Sequence, residues 1–139
     1  MSLSASDIEI LIREGVPMAN DIGFRVEEAR SGFAKTRLKF SDRQIRPGGT
    51  ISGPVQMALA DASMYAAVLA SLGKVEMAVT SNLSINFLQR PAPGDLSAEA
   101  VVLRMGRRLA FCEVRLLSGE GSDQQLVAHV TGSYALPAQ

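Results

Sequence analysis

One cysteine, one histidine and no tryptophan occur in this 139-residue chain. A lone Cys112 excludes an intrachain disulfide, and a single His129 leaves no Cys/His spacing that would hold a metal. Neither sign of charge is in excess, since 14 Lys and Arg balance 14 Asp and Glu. The chain therefore lacks the electrostatic footprint of a nucleic-acid binder or of a protein attracted to an anionic membrane. No basic stretch followed by an apolar run opens it, so a secretory signal is not expected and the cytoplasm is the expected compartment. No repeat, low-complexity tract or linker divides it. Its length predicts a single domain over 1–139, with room for a real core.

What the chain does have is a long apolar stretch, Ser52–Gly73, SGPVQMALADASMYAAVLASLG. From Val55 to Leu72 there is no Gly, no Pro and one charged side chain, Asp61. Leu, Met and Ala favour helix, and Pro54 falls in a first turn where its missing N–H costs nothing. Ser52 or Gly53 fits the N-cap, and Gly73 the position after the last turn. Apolar residues fall on every side, so the helix is expected to be wrapped by the rest of the protein. It is long enough to cross a bilayer, but Gln56, Asp61, Ser63 and Ser71 mark it as soluble core. A carboxylate inside such a helix is costly unless it is paired or used.

Around that helix the pattern is mostly β. Ser6-Asp7-Ile8-Glu9 reads as a capping box that opens a short helix through Arg13, ended by Gly15 and Pro17. Ile22 to Glu28 is strand-like, and Ala34, Thr36, Leu38 and Phe40 then alternate with Lys35, Arg37 and Lys39. Ser41 to Ser52 is a loop. Beyond the helix, Met77, Val79, Leu83, Ile85 and Phe87 keep one phase, while Thr80, Asn82, Ser84 and Asn86 keep the other. Pro91 to Gly94 ends that strand. Leu96 to Val102 and Leu109 to Leu117 follow around a turn at Gly106-Arg107, and a last strand carries Leu126, Ala128, Val130 and Tyr134 inward. Two strands, a buried helix and four more strands predict an α+β fold, a curled antiparallel sheet around one long helix.

In that element order Ser52-Gly53-Pro54 and Leu59-Ala60-Asp61 resemble the His-Gly-Gly…Leu-Ala-Asp signature of hotdog-fold acyl-CoA thioesterases, in the branch related to phenylacetate degradation. Asn82-Leu83-Ser84-Ile85-Asn86-Phe87-Leu88, then Arg90-Pro91-Ala92 and Gly94-Asp95, resemble that branch's third strand and the turn after it. The similarity spans roughly residues 24–136. It implies a hotdog fold and hydrolysis of a small to medium acyl-CoA, aromatic acyl groups included, with no cofactor beyond the CoA of the substrate. It implies Asp61 as catalytic carboxylate, the Gly53 N–H as the group polarising the thioester carbonyl, and Thr80 as a helper hydroxyl. Ser52 stands where the family usually has His, Pro54 replaces the second Gly, and Arg46 stands where an Asn or Gln usually orients the nucleophile or water.

Elementary chemistry agrees with these assignments. A thioester carbonyl gains negative charge on attack, and the N-terminus of a buried helix offers unsatisfied N–H groups and a partial positive charge. A carboxylate then serves as nucleophile or as general base for water; the sequence leaves both open. Gly53 and Asp61 are eight residues apart, about 12 Å along a helix at ~1.5 Å per residue. Both can act on one thioester only if Asp61 comes from a second subunit, which predicts a homodimer with two shared sites, and leaves room for a dimer of dimers.

Plainer roles compete at several positions. Ser52 serves equally as a simple N-cap, and Thr80, on the polar phase, equally as an exposed threonine, with Ser81 the alternative in register. Arg46 has three readings: contact with the acyl group, pairing with Asp61, or solvent. Cys112 reads as core, His129 as surface, and Met57 and Met64 as packing residues. Arg90, Arg104, Arg107 and Arg108 fall beside turns at strand ends, and as a group they are where the phosphates of CoA are expected. Two other functions fit the fold. A dehydratase or hydratase would need a His in the site, and His129 lies on an outward phase. A non-catalytic acyl-CoA binding protein fits the departures at Ser52, Pro54 and Arg46.

Overall fold

A computed structural model describes residues 2–138. Its axis is α3, Gly53–Leu72, capped by Ser52, whose hydroxyl accepts from the Val55 N–H, and ended by Gly73 at φ 84°. Leu59, Ala60, Met64, Ala67, Val68 and Leu69 are fully buried along it, each large side chain worth about 1.5–3 kcal/mol of burial. Its small polar residues are bonded rather than stranded. Ser63 Oγ donates to Leu59 O at 2.7 Å and lies 2.7 Å from Thr36 Oγ1, and Ser71 Oγ accepts from the Gly32 N–H. Although long and apolar enough to span a membrane, α3 is the buried core helix of the fold.

The expectation that α3 is wrapped on every side is corrected at its N-terminal half. Met57 is 41% exposed, and Ala58, Asp61, Ala62 and Tyr65 are only half-buried. Alanine-rich faces look alike in hydropathy, so composition does not say which of them the sheet covers.

The sheet has six antiparallel strands: β1 Phe24–Arg30, β2 Phe33–Leu38, β3 Val79–Phe87, β4 Leu96–Met105, β5 Leu109–Ser118 and β6 Gln125–Ala135. Their spatial order is β1-β2-β4-β5-β6-β3. Alternation puts Leu96, Ala98 and Ala100 of β4, with Cys112, Val114 and Leu116 of β5, against the helix. On β6, Gly132 is required by packing, since a Cβ there would stand 2.6 Å from Asn82 O and 2.9 Å from the Met64 side chain. The strand β3 is an edge. It pairs with β6 alone among the described residues, and Met77, Val79, Phe87 and Leu88 around it are all more than half exposed.

The N-terminal segment differs from expectation. Helix α1, Ala5–Gly15, is capped by Ser4 with Asp7, not by Ser6 with Glu9, and it runs past Arg13. Both serines begin a capping-box spacing, but Glu9 is spent elsewhere, accepting the Val26 N–H at 2.8 Å where β1 bulges. A second helix, α2, Pro17–Asp21, starts on Pro17 rather than being prevented by it. The loop before α3 contains a short 3-10 turn at Asp42–Gln44, and β1 and β2 each begin or end within two residues of expectation.

Candidate active site

Asp61 sits on the uncovered face of α3, and its carboxylate is held by two hydroxyls on one oxygen. Thr80 Oγ1 donates to Oδ1 at 2.6 Å and Tyr134 Oη is 2.8 Å from the same atom. Oδ2 makes no hydrogen bond among the described residues. Thr80 and Tyr134 are cross-strand partners in the β3–β6 ladder. The ladder shifts between Thr80 and Asn82, so Ser81 is an extra residue in β3. That bulge reverses the alternation and turns Thr80 inward, away from the outward phase on which its spacing had placed it.

Tyr134 is buried, and its ring stacks on Tyr65 at 5.7 Å between centroids and 10° between planes. The Tyr65 hydroxyl is anchored in turn on Glu76 O at 3.0 Å. Burial, and then the negative charge of Asp61, hold the Tyr134 hydroxyl well above the usual tyrosine range. It stays protonated and donates to the carboxylate. The sequence marked Tyr134 only as an inward residue of the last strand. Its hydroxyl role depends on contact with a residue 73 positions away.

Two spaces meet at Asp61. One is a small, partly open pocket of about 50 Å³ between α3 and the α1–α2 segment, lined by Ile12, Met18, Ala19, Ile22, Ala58 and Ala62. The other is an open cleft of about 420 Å³ bounded by Glu76, Val79, Thr80 and Tyr134.

Gly53 lies at the far end of α3, in a separate cleft of about 360 Å³ with Arg46, Gln56, Phe87 and Arg90. The Gly53 N–H has no partner among the described residues. The half-exposed Phe87 ring rests against it, so close that a Cβ on Gly53 would be 3.3 Å from Phe87 Cζ. Ser52 acts as the N-cap, and Arg46 opens the turn closed by the Gly49 N–H to its carbonyl. Arg46 lines the Gly53 cleft and is not paired with Asp61. Gln56, read from the sequence only as a mark of soluble core, is 3% exposed; its Nε2 donates to Ile51 O, while its buried Oε1 has no hydrogen-bond partner among the described residues.

Of the four arginines expected together, Arg104, Arg107 and Arg108 fall at one end of the sheet and Arg90 does not join them. Arg107 and Arg108 occupy the β4–β5 turn, which is at the Asp61 end of the sheet because Ala135 pairs with both Leu109 and Val79. Arg90 follows Phe87, which pairs with Ala128 at the opposite end. Strand ends adjacent in sequence are not adjacent in space in this strand order. His129 Nε2 is 2.9 Å from Glu113 Oε2 across β5 and β6, remote from Asp61. Cys112 is buried, and burial pushes its thiol up to about 11.

A six-stranded antiparallel sheet curled around one long helix is the hotdog fold, here with a carboxylate held on that helix's open face. The model of the thioesterase superfamily matches residues 48–124, and the chain belongs to that family. A Silicibacter sp. structure solved as a putative thioesterase is 38% identical, with a TM-score of 0.84 over 97% of this chain and 92% of its own. A Pseudomonas aeruginosa protein named Putative esterase is 33% identical over 72% of each chain. The Escherichia coli PaaI protein from the phenylacetic acid degradation operon, at 21% identity, shares the fold with a TM-score of 0.83 over 96% of this chain and 94% of its own.

Proposed function

We propose that this thioesterase hydrolyses acyl-CoA, at sites that combine Asp61 of one copy with the Gly53 N–H of another. The observation that carries this reading is the Asp61 carboxylate, with Oδ1 pinned by Thr80 and Tyr134 and Oδ2 left open. Two routes begin at Oδ2. It adds to the thioester carbon, CoA thiolate departs and water opens the resulting anhydride; or it takes a proton from a water that adds directly. Both give the free acid and CoA without a cofactor. In either, the carbonyl oxygen gains charge, and an N–H at the start of a 20-residue helix is suited to receive it.

The shared site follows from lengths and strand order. Along α3 the Gly53 end and Asp61 are about 12 Å apart, and they open into different clefts. The free edge of β3 supports pairing with a second β3 about a two-fold axis. Antiparallel pairing there sets the Val79 end of one copy against the Phe87 end of the other. The Asp61 cleft of one subunit then faces the Gly53 cleft of its partner. The same operation draws Arg46 and Arg90 of one copy toward Arg107 and Arg108 of the other, a composite cationic rim for the phosphates of CoA. Exposed Leu103, Leu109 and Phe111 on β4 and β5 offer a surface on which two such dimers join.

Thiol release from a panel of acyl-CoAs tests the reaction. Asp61→Asn is expected to keep the fold and CoA affinity while losing about 10²–10⁴-fold in kcat. A variant retaining more than about a tenth of wild-type kcat would remove Asp61 from the chemistry.

A further inference from the structure

The Gly53 cleft holds two polar groups without a partner among the described residues, one acceptor and one donor. The acceptor is Oε1 of the buried Gln56. Gln56 Nε2 donates to Ile51 O at 3.1 Å. A carbonyl oxygen only accepts, so the nitrogen faces Ile51 and the unpartnered atom is the oxygen. The donor is the Gly53 N–H, three residues earlier on the same side of the first turn. Pro54 has no N–H, and those of Val55 and Gln56 are spent on Ser52. The other side chains of the cleft do not serve Oε1. Thr50 Oγ1 is committed to Pro91 O and Gln89 Nε2 to Leu126 O, while Arg46 and Arg90 are exposed and make no bond to it. An unpaired buried acceptor is costly, so this one calls for an N–H or O–H from outside the chain.

We infer that Gln56 Oε1 accepts the first amide N–H of the pantetheine arm of CoA, which makes Gln56 a residue that selects the leaving thiol; this rests on the thioesterase reading, in which the Gly53 N–H holds the thioester oxygen. In an acyl-CoA that oxygen and that N–H are joined through the carbonyl carbon, the sulfur and two methylenes, a span of about 5–6 Å. One helical turn rises ~5.4 Å, and the bond to Ile51 O draws the Gln56 carboxamide back along the turn that begins at Gly53. A single acylated cysteamine amide therefore pairs both groups at once. A thioester without that amide pairs the donor and leaves Oε1 alone. The Phe87 ring, half-exposed, covers Gly53 in the single chain and turns aside to admit the substrate. Selection of the thiol then resides in the first turn of α3, apart from the carboxylate eight residues further on.

The test compares two truncated thioesters, each as its acetyl, hexanoyl and phenylacetyl derivative. One is the thioester of N-acetylcysteamine, which keeps the amide N–H. The other is the thioester of 2-mercaptoethyl acetate, its isostere with an ester oxygen at that position. Thiol release by the full-length protein gives kcat/KM, divided for each compound by its own rate in hydroxide. The wild type is expected to favour the amide about tenfold, the cost of leaving one buried acceptor unpaired. In Gln56→Met, which keeps the side chain's length without the carboxamide, and in Gln56→Leu, the preference should fall to within about twofold. A merely structural Gln56 would lower both substrates together and leave the ratio near ten. The wild-type ratio tests the N–H without any variant, and thermal unfolding shows which variants are folded. A wild-type ratio within about twofold would overturn the assignment, and is the result expected if water occupies Oε1. So would a tenfold ratio that survives in a folded variant, or hydrolysis of the matching acyl-CoAs with neither truncated thioester accepted. Thiol release without discrimination removes the role of Gln56 and spares the hydrolase reading. No thiol release from any of these thioesters, the acyl-CoAs included, would sink both.

Discussion

Changing Tyr134 to Phe removes one oxygen atom and leaves the ring in place against Tyr65. The lost interactions are the 2.8 Å hydrogen bond to Asp61 Oδ1 and the 3.0 Å one that the same hydroxyl makes to the Asp61 backbone carbonyl, of which only the first bears on the carboxylate. A hydrogen bond to a charged group is worth about 1.5–3 kcal/mol, and each 1.36 kcal/mol is tenfold in rate. Thr80 still holds the same oxygen at 2.6 Å, so the carboxylate is loosened rather than released. The expected loss is therefore at the lower end, about tenfold in kcat. Thr80→Val should cost a similar factor for the same reason. With both donors gone nothing fixes Oδ1, and the double variant should lose more than the product of the two single losses. Because the Tyr134 hydroxyl is bonded to Asp61 itself, KM should stay within about twofold. The assay is steady-state thiol release, with thermal unfolding measured in parallel to show that each variant is folded at the working temperature. A folded Tyr134→Phe with kcat within twofold of wild type would refute the positioning role. So would an effect confined to KM, which would make Tyr134 a binding residue, or strict multiplicativity with Thr80→Val, which would mean that the two hydroxyls do not act on one carboxylate.

Three further outcomes are expected. Arg107→Ala with Arg108→Ala should raise KM for acyl-CoA more than it lowers kcat, since phosphate contacts are the same in ground and transition states; an equal effect on a short pantetheine thioester would contradict this. Asp61→Asn and Gly53→Val, each inactive alone, should recover about a quarter of wild-type activity per subunit when unfolded and refolded together, because a mixed dimer has one site with both lesions and one with neither. In Gly53→Val the new side chain meets the Phe87 ring and closes the helix N-terminus; verified heterodimers without recovered activity would rule out the shared site. Cys112 should resist iodoacetamide at pH 8 until the protein is denatured, its thiol being buried and held up to about 11 against an ordinary 9.0. In the unfolded chain that thiol ionises first, so folding stability should fall between about pH 9 and 11, and Cys112→Ala should flatten part of that slope.

Properties of short windows were legible in the sequence. Helix propensity and the cap residues Ser52 and Gly73 located α3, and strand alternation located the strands. The isolation of one carboxylate among apolar neighbours drew attention to Asp61, because a lone charge in an apolar helix is conspicuous whatever surrounds it. The Asp61 and Gly53 spacing on one helix is also a matter of residue count.

The tertiary structure alone decided how distant windows meet. A single extra residue, Ser81, turns Thr80 from an outward strand position toward Asp61, and nothing in the alternation of β3 marks it. Tyr134 reaches Asp61 only because β6 lies between β5 and β3, so its hydroxyl had no visible partner in sequence. The same order separates Arg90 from Arg107 and Arg108. Glu9, a perfectly spaced capping residue for Ser6, is drawn away by the Val26 N–H on β1. The open face of α3 was hidden by its own composition, since alanines on the covered and uncovered sides read alike. Propensity and periodicity arise from neighbours along the chain. Register, bulges and strand order arise from pairings between remote segments, and at this site those pairings decide which oxygen of Asp61 is held by hydroxyls and which is left without one.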